Sequence, residues 1–308
     1  MRGFPSVRRY SIRASARIQR LRLPSVLEPG ITEPKPPSEA LCELPARRLR
    51  TDASPVESVQ EDVGVVVEKA VTIDVGGLDR YTLLCTPIDL EALAVGFLFT
   101  EGVIDRIDAI ANVRRCVSDP AVLRVKLWDP AATRREGARN LLIASSCGLC
   151  GVENLQDKLA ALPRVGDRLR VDTQWLQETS SALRDKQTLF RACGGVHAAG
   201  LFDGAGHLMA WAEDAGRHNA LDKAIGRSLL RGAGAAGCGV VLSGRVSLDM
   251  VAKCARAGIE LISAISAPTS LAVEVAERCN ITLCAFVRET RATVFSHARR
   301  LTGMLKTS

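Results

Sequence analysis

The segment from Val240 to Phe295 repeats one rhythm, and that rhythm restricts the fold more than any other feature of the chain. Short apolar runs suited to buried strands, at Val240 to Leu242, Glu260 to Ile265 and Ile281 to Val287, alternate with helical patterns at Leu248 to Ala257 and Ser270 to Arg278. A last strand candidate follows at Ala292 to Phe295. Such alternation requires crossover connections, and it predicts a mostly parallel sheet covered by helices on both faces. Each strand run ends in polar or small residues: Ser243-Gly244-Arg245, Ser266-Ala267-Pro268-Thr269-Ser270 and Arg288-Glu289-Thr290-Arg291. Parallel strands gather these ends on one edge, where Arg side chains and backbone N–H groups can hold phosphates.

The chain has 308 residues, room for two domains at roughly 150 residues each. Ahead of the alternating region, Val63 to Glu68, Val71 to Val75 and Arg80 to Leu84 read as a meander, with Gly76-Gly77 as a hairpin turn. Asp89 to Thr100 follows helical rules: Asp89 can cap it, and Leu90, Leu93, Ala94, Phe97 and Leu98 share one face. Two more strand candidates, Val113 to Val117 and Val122 to Trp128, complete a small α+β domain expected over 58–135. The larger α/β domain is expected over 136–308.

Residues 1–57 are rich in Arg, Pro and Ser with little apolar periodicity, so a disordered extension is expected. Arg2, Arg8, Arg9, Arg13, Arg17, Arg20 and Arg22 precede its first acid, Glu28, as in an organellar transit peptide; a dispensable extension is the plainer reading. The net charge of +7 also lies here, because the first 50 residues hold 11 Lys and Arg against 4 acids, leaving 30 of each sign. With 12 aromatics and no basic helix or zinc-finger spacing, the chain is not expected to bind nucleic acid. No apolar run approaches the roughly 18 residues of a membrane span. Ten cysteines without a secretory segment read as reduced thiols, which implies a cytoplasmic protein. Cys85, Cys116, Cys238, Cys254, Cys279 and Cys284 lie in or beside apolar stretches and are expected to be mostly inert.

Cys147-Gly148-Leu149-Cys150-Gly151 is different. Glycines flank the second cysteine and a helical pattern from Glu153 to Leu162 follows, so both thiols are expected near a helix N-terminus, where the dipole favours thiolate. A structural zinc site would need two more ligands, for which Cys193 and His197 are candidates. A thioredoxin-like pair would need a βαβ context that is missing here. Zinc deamination needs a His-x-Glu segment, yet His197 is followed by Ala198 and Ala199. A thiolate nucleophile or sulfur relay remains the leading reading.

His197 lies among small residues in Gly194-Gly195-Val196-His197-Ala198-Ala199-Gly200, where a satisfied core histidine is the plain alternative to a ligand contact. Glu213-Asp214-Ala215-Gly216-Arg217-His218-Asn219-Ala220-Leu221-Asp222-Lys223 concentrates polar groups at a strand-to-helix turn and is expected to form a ligand site rather than a capping network. Gly232-Ala233-Gly234-Ala235-Ala236-Gly237 matches a dinucleotide fingerprint literally but follows a helix and precedes a strand, so it reads as a linker.

Taken together, Ser146 to Gly151, Gly194 to Phe202, Glu213 to Lys223, Ser266 to Ala272 and Arg291 to Phe295 resemble the formate dehydrogenase accessory sulfurtransferase family (FdhD) over about Val63 to Leu301. The resemblance implies a cytidine-deaminase-like three-layer α/β core. It also implies a sulfurtransferase that takes persulfide sulfur from a cysteine desulfurase and delivers it to the molybdenum bis(molybdopterin guanine dinucleotide) cofactor of formate dehydrogenase. That cofactor would be a bound substrate, with no tightly held metal of the protein's own, and a homodimer is plausible for the family. By position, Cys147 matches the persulfide-bearing cysteine and Cys150 its partner. Phe286, Val287, Arg288, Glu289, Thr290 and Arg291 match the cofactor-binding stretch. Arg217, Arg245, Arg288 and Arg291 are candidates to neutralise phosphates, and His197 and His218 to position the pterin or move a proton. The alternative is a cofactor-binding chaperone without sulfur transfer, its Cys-x-x-Cys being a structural zinc or redox site.

Overall fold

The structure, a computed structural model, describes residues 37–129 apart from 53, 55 and 78, then 140–143 and 159–303. Its strands and helices run in the order β1 (Leu41–Arg50), β2 (Glu57–Val66), β3 (Lys69–Val75), β4 (Asp79–Cys85), α1 (Leu90–Thr100), β5 (Ile110–Arg115), β6 (Val122–Leu127) and β7 (Asn140–Ile143). They continue as β8 (Val171–Asp172), α2 (Trp175–Lys186), α3 (Thr188–Cys193), β9 (His197–Phe202), β10 (Leu208–Asp214), α4 (Arg217–Leu230) and β11 (Gly239–Leu242). The chain closes with α5 (Leu248–Arg256), β12 (Leu261–Ala264), α6 (Ser270–Arg278), β13 (Thr282–Arg288), β14 (Arg291–Ser296) and β15 (Leu301–Thr302).

The alternating region forms a six-stranded sheet of order β10-β9-β11-β12-β13-β14. Side-chain alternation splits its strands between two cores. Val240, Leu242, Ile262, Ala264 and Leu283 pack under α4, α5 and α6, whereas Val241, Leu261, Cys284 and Val287 pack on Trp175, Leu176 and Leu183 of α2. The result is three layers, with β11 and β12 buried along their whole length, as central strands covered on both faces must be.

The sheet is mixed rather than mostly parallel. Only β11–β12 and β12–β13 run parallel, the pairs joined by the crossover helices α5 and α6. The other neighbours are antiparallel, because β9–β10 and β13–β14 are joined by turns too short for a crossover. In the first of these turns Asp203 Oδ1 accepts the N–H groups of Ala205 and His207.

A second, five-stranded sheet has the order β5-β6-β3-β4-β7. Gly76 and Gly77 turn β3 into β4 with positive φ, as the sequence predicts. α1 is apolar all round, which makes sense only for a helix buried on two sides. One side meets Val71, Ile73, Leu83, Leu123 and Val125 of this sheet, and the other meets α4. At that crossing the helices touch through Gly96 and Gly226: a Cβ on either would come within 1.8 Å of the Asp222 oxygen or 1.9 Å of the Ala92 oxygen. The two expected domains are thus pressed together by backbone contact. The expected boundary at 135 lies outside the described residues.

Three local expectations need correction. Leu41–Arg50, assigned to a disordered extension, is a strand paired along its length with β2. Its Arg-rich sequence hides the partner that makes it pair, as in the 2.7 Å bridge from Arg48 to Glu61. β2 therefore leaves the predicted meander. Asp89 makes no capping hydrogen bond and lies in the left-handed region; its carboxylate instead takes the Arg227 guanidinium from α4. The Gly232–Gly237 run, by contrast, is the linker the sequence predicts, with Gly232, Gly234 and Gly237 at positive φ.

Candidate functional site

One rim of the six-stranded sheet collects what the sequence scattered. β9 runs against β11, so its first residue, His197, lies at the same end as the last residues of β11, β12 and β13. β10 runs against β9 and pairs Asp214 with His197, which brings the N-terminus of α4 to this end as well. The hairpin 288–291 joins it from β13 and β14. His197, Arg217, Arg245 and the stretch from Phe286 to Arg291 therefore share one edge.

His197, Arg217 and Arg245 form its inner part. Gly244 lies against the imidazole so closely that a Cβ there would be 3.1 Å from His197 Nδ1 and 3.5 Å from the Arg217 Cβ. Ser243 Oγ accepts the Ala198 N–H at 2.8 Å and lies 3.5 Å from His197 Nδ1, which fixes the ring. Burial, and then the Arg217 charge, hold the imidazole below its ordinary value, so it is neutral at neutral pH. Burial, and then Arg245, likewise push the Arg217 guanidinium down. The Arg217 Nε is buried with no hydrogen-bond partner among the described residues. Among the described residues Asp249 is the carboxylate that acts on Arg217, and it leaves an orphaned donor and the repulsion of two guanidiniums, the condition a phosphate group relieves.

Farther along, the loops after β11 and β12 are stitched together: Val246 N–H donates to Ala267 O at 3.1 Å and Thr269 N–H to Val246 O at 2.9 Å. Arg288 donates to Ile265 O at 2.6 Å and Val287 O at 2.8 Å, and the Phe286 N–H reaches Ser266 O. Phe286 has a φ of 53° and an exposed ring 6.2 Å from that of Phe295. Glu289, Thr290 and Arg291 are exposed at the hairpin tip. Val287 departs from expectation: its side chain is buried in the core shared with α2, on the same face as Cys284 three residues earlier, because the irregularity at Phe286, where φ is 53°, breaks the alternation of β13.

The polar segment 213–223 is largely the capping network that the sequence reading set aside. Glu213 accepts the N–H groups of Leu189 and Phe190 at the start of α3. Asp214 and Lys223, both fully buried, pair at 2.5 Å. Asp214 also takes the Thr86 N–H and Lys223 gives to Thr86 O, while Asn219 donates to Leu84 O. Asp222 joins Thr100 at 2.7 Å and Lys253 at 2.9 Å. Burial pushes the Asp222 carboxyl up to about 6. These groups tie the rim to the end of β4 and to α1; Arg217 is the member that faces the rim. His218 is 3.8 Å from Asp249 Oδ2 of α5, a partner that sequence reasoning missed although an acid in a first helical turn was its signal. Burial pushes Asp249 up.

Cys147 and Cys150 lie outside the described residues. Of the core cysteines, burial pushes Cys85 and Cys284 up to about 12 and also raises Cys238, Cys254 and Cys279. Cys116 is the exception, held low by the Ser118 hydroxyl. Cys193 Sγ contacts Leu189 O at 3.1 Å.

Fold and rim define a mixed α/β protein with an arginine-lined edge at its strand ends. The FdhD/NarQ family model matches residues 66–302, and the chain belongs to that family. It is 36% identical over 262 residues to a sulfur carrier protein FdhD of Bordetella bronchiseptica, covering 84% of this chain and 94% of that one. A sulfur carrier protein FdhD of Thermoplasma acidophilum is 36% identical over 244 residues, covering 77% and 86%. Among solved structures, a putative formate dehydrogenase accessory protein from Desulfotalea psychrophila superposes with a TM-score of 0.67 at 25% identity, over 85% of this chain and 99% of that one.

Proposed function

We propose that this protein is a sulfur carrier for formate dehydrogenase. In this reading Cys147 takes sulfur from a cysteine desulfurase and passes it to the molybdenum bis(molybdopterin guanine dinucleotide) cofactor, held on the rim as substrate. The observation that carries it is the charge-deficient corner of Arg217, Arg245 and neutral His197, at the strand ends of a chain whose relatives are named sulfur carriers. The cofactor's phosphates match that deficit in sign and in hydrogen-bonding capacity. Arg291 and the rest of the Arg288 guanidinium extend the same chemistry along the rim. The strand order and the helices on both faces also support a cytidine-deaminase-like core. We place the protein in the cytoplasm, as a homodimer; among the described residues no helix is long and apolar enough to cross a membrane.

The chemistry asks two things of the thiols. The Cys147 thiolate attacks the outer sulfur of the desulfurase persulfide; a new S–S bond forms at Cys147 and the desulfurase cysteine leaves as thiolate. In delivery, the Cys150 thiolate attacks the inner sulfur of Cys147. A Cys147–Cys150 disulfide forms and the outer sulfur departs as sulfide, its two electrons supplied by the cysteine pair. The deciding experiment is intact mass after incubation with desulfurase and cysteine: one added sulfur on the wild type and none on Cys147→Ala. An adduct that persists in Cys147→Ala, or never forms in the wild type, refutes the reading.

A further inference from the structure

The five-stranded sheet has a second face, and nothing in the proposed function uses it. α1 covers the side lined by Val113, Leu123, Val125 and Leu127. Alternation turns Asn112, Arg114, Arg124 and Lys126 to the opposite, open side. β5 and β6 pair Arg114 directly with Arg124, and Asn112 with Lys126. Like charges directly opposite on neighbouring strands repel. Among the described residues Arg114, Arg124 and Lys126 make no ion pair, and Asp74, which lies opposite Arg124 in the sheet and lines the same depression, is bridged instead by Arg80 at 3.3 Å and by the Gly77 N–H at 2.8 Å. The three cations rim an open depression of about 550 Å³ that runs to the Gly76-Gly77 turn.

A second observation is independent of charge. Trp128 follows buried Leu127 at the end of β6 and is 74% exposed, continuing the outward series of Arg124 and Lys126. An indole left in water on the same face as Arg124 and Arg114 has the composition of an interface centre, where Trp and Arg supply most binding energy, rather than of ordinary surface. The patch is open and polar, unlike the enclosed, mostly apolar cavities that bury small ligands. It is also a local excess in a chain whose residues beyond 50 carry equal numbers of acids and bases, which favours steering of one complementary surface over general attraction to a polyanion.

We infer that the open face of this sheet, centred on Arg114, Arg124, Lys126 and Trp128, docks an acidic surface of a partner protein. Resting on the sulfur-carrier reading, the inference adds where the exchange partner binds.

The test uses the full chain and two labelled probes, a hexaglutamate peptide and an oligothymidylate of equal charge, read by fluorescence anisotropy. Hexaglutamate should bind the wild type, weaken as salt rises, and bind at least tenfold more weakly to Arg114→Ser/Arg124→Ser. Equal peptide binding by both proteins overturns the inference, as does a patch-dependent preference for the oligonucleotide, which would make this a nucleic-acid site. The double variant should melt no lower than the wild type, because the cations it removes repel each other; a lower midpoint would give them a structural role and overturn the inference. With a desulfurase as donor, the double variant should load sulfur onto Cys147 more slowly but to the same final extent, and an unchanged rate overturns docking here. No adduct in either protein refutes the sulfur-carrier reading instead, while the peptide measurement still decides the acidic-surface claim.

Discussion

Gly96 and Gly226 meet backbone to backbone where α1 crosses α4: a Cβ on Gly226 would be 2.9 Å from the Gly96 nitrogen, and one on Gly96 3.0 Å from the Gly226 nitrogen. No rotamer relieves such a clash. Gly226→Ala should therefore force the helices apart and cost about 1–3 kcal/mol, read as a lower denaturant midpoint. Since this crossing joins the two sheets, the wild type should unfold in one transition by far-UV circular dichroism and by tryptophan fluorescence alike. Two separated transitions would show that the sheets melt independently.

Lys253 is held by Asp222 and Glu101 in a buried cluster. Lys253→Met leaves the Asp222 charge without its cation and should cost about 3–5 kcal/mol. The pH dependence follows from the Asp222 carboxyl, which burial raises to about 6. The folded state binds this proton more tightly than the unfolded chain does. Its contribution is complete below the ordinary carboxylate value and is lost as pH rises through about 6. Asp222→Asn should remove that downward slope, measured as denaturation midpoint against pH.

His197 behaves in the opposite sense. Its folded value lies below the ordinary one, so its contribution to stability is complete above the ordinary histidine value and is lost as pH falls through the folded one. Inorganic pyrophosphate bound at the rim should neutralise Arg217 and Arg245 and move the His197 titration upward in an NMR pH series. A titration unmoved by saturating pyrophosphate would remove His197 from the anion site.

Arg217→Ala should weaken pyrophosphate binding at least tenfold, the equivalent of about 1.5–3 kcal/mol for hydrogen bonds to a charged group. Arg217→Lys should recover only part of the loss, because an ammonium replaces a fork of donors with a point charge. Isothermal titration calorimetry at one salt concentration compares the three proteins. Full affinity in Arg217→Ala would place the anion elsewhere.

Strand ends and their arginines were legible from the sequence because period-two burial and turn chemistry are local signals. Arg217, Arg245, Arg288 and Arg291 were found this way. What local patterns could not supply was the partner across the fold. Asp214 to Asp222 reads as a ligand cluster until Thr86, Thr100 and Lys253 are seen to consume it. Leu41–Arg50 reads as a basic tail until β2 pairs with it, and Asp89 reads as a cap until Arg227 reaches it from α4. Val287 was carried along with its neighbours, because the irregularity at Phe286 that turns it into the core leaves no mark in the local pattern.

The hydrogen bonds that tie Val246 to Ala267 and Thr269 to Val246 turn two adjacent strand ends into a shelf that cannot fold over its cargo. In the proposed reaction such a shelf works as an anvil: it fixes the recipient and yields nothing in shape. Whatever approach brings donor and recipient atoms together is then made by the donor.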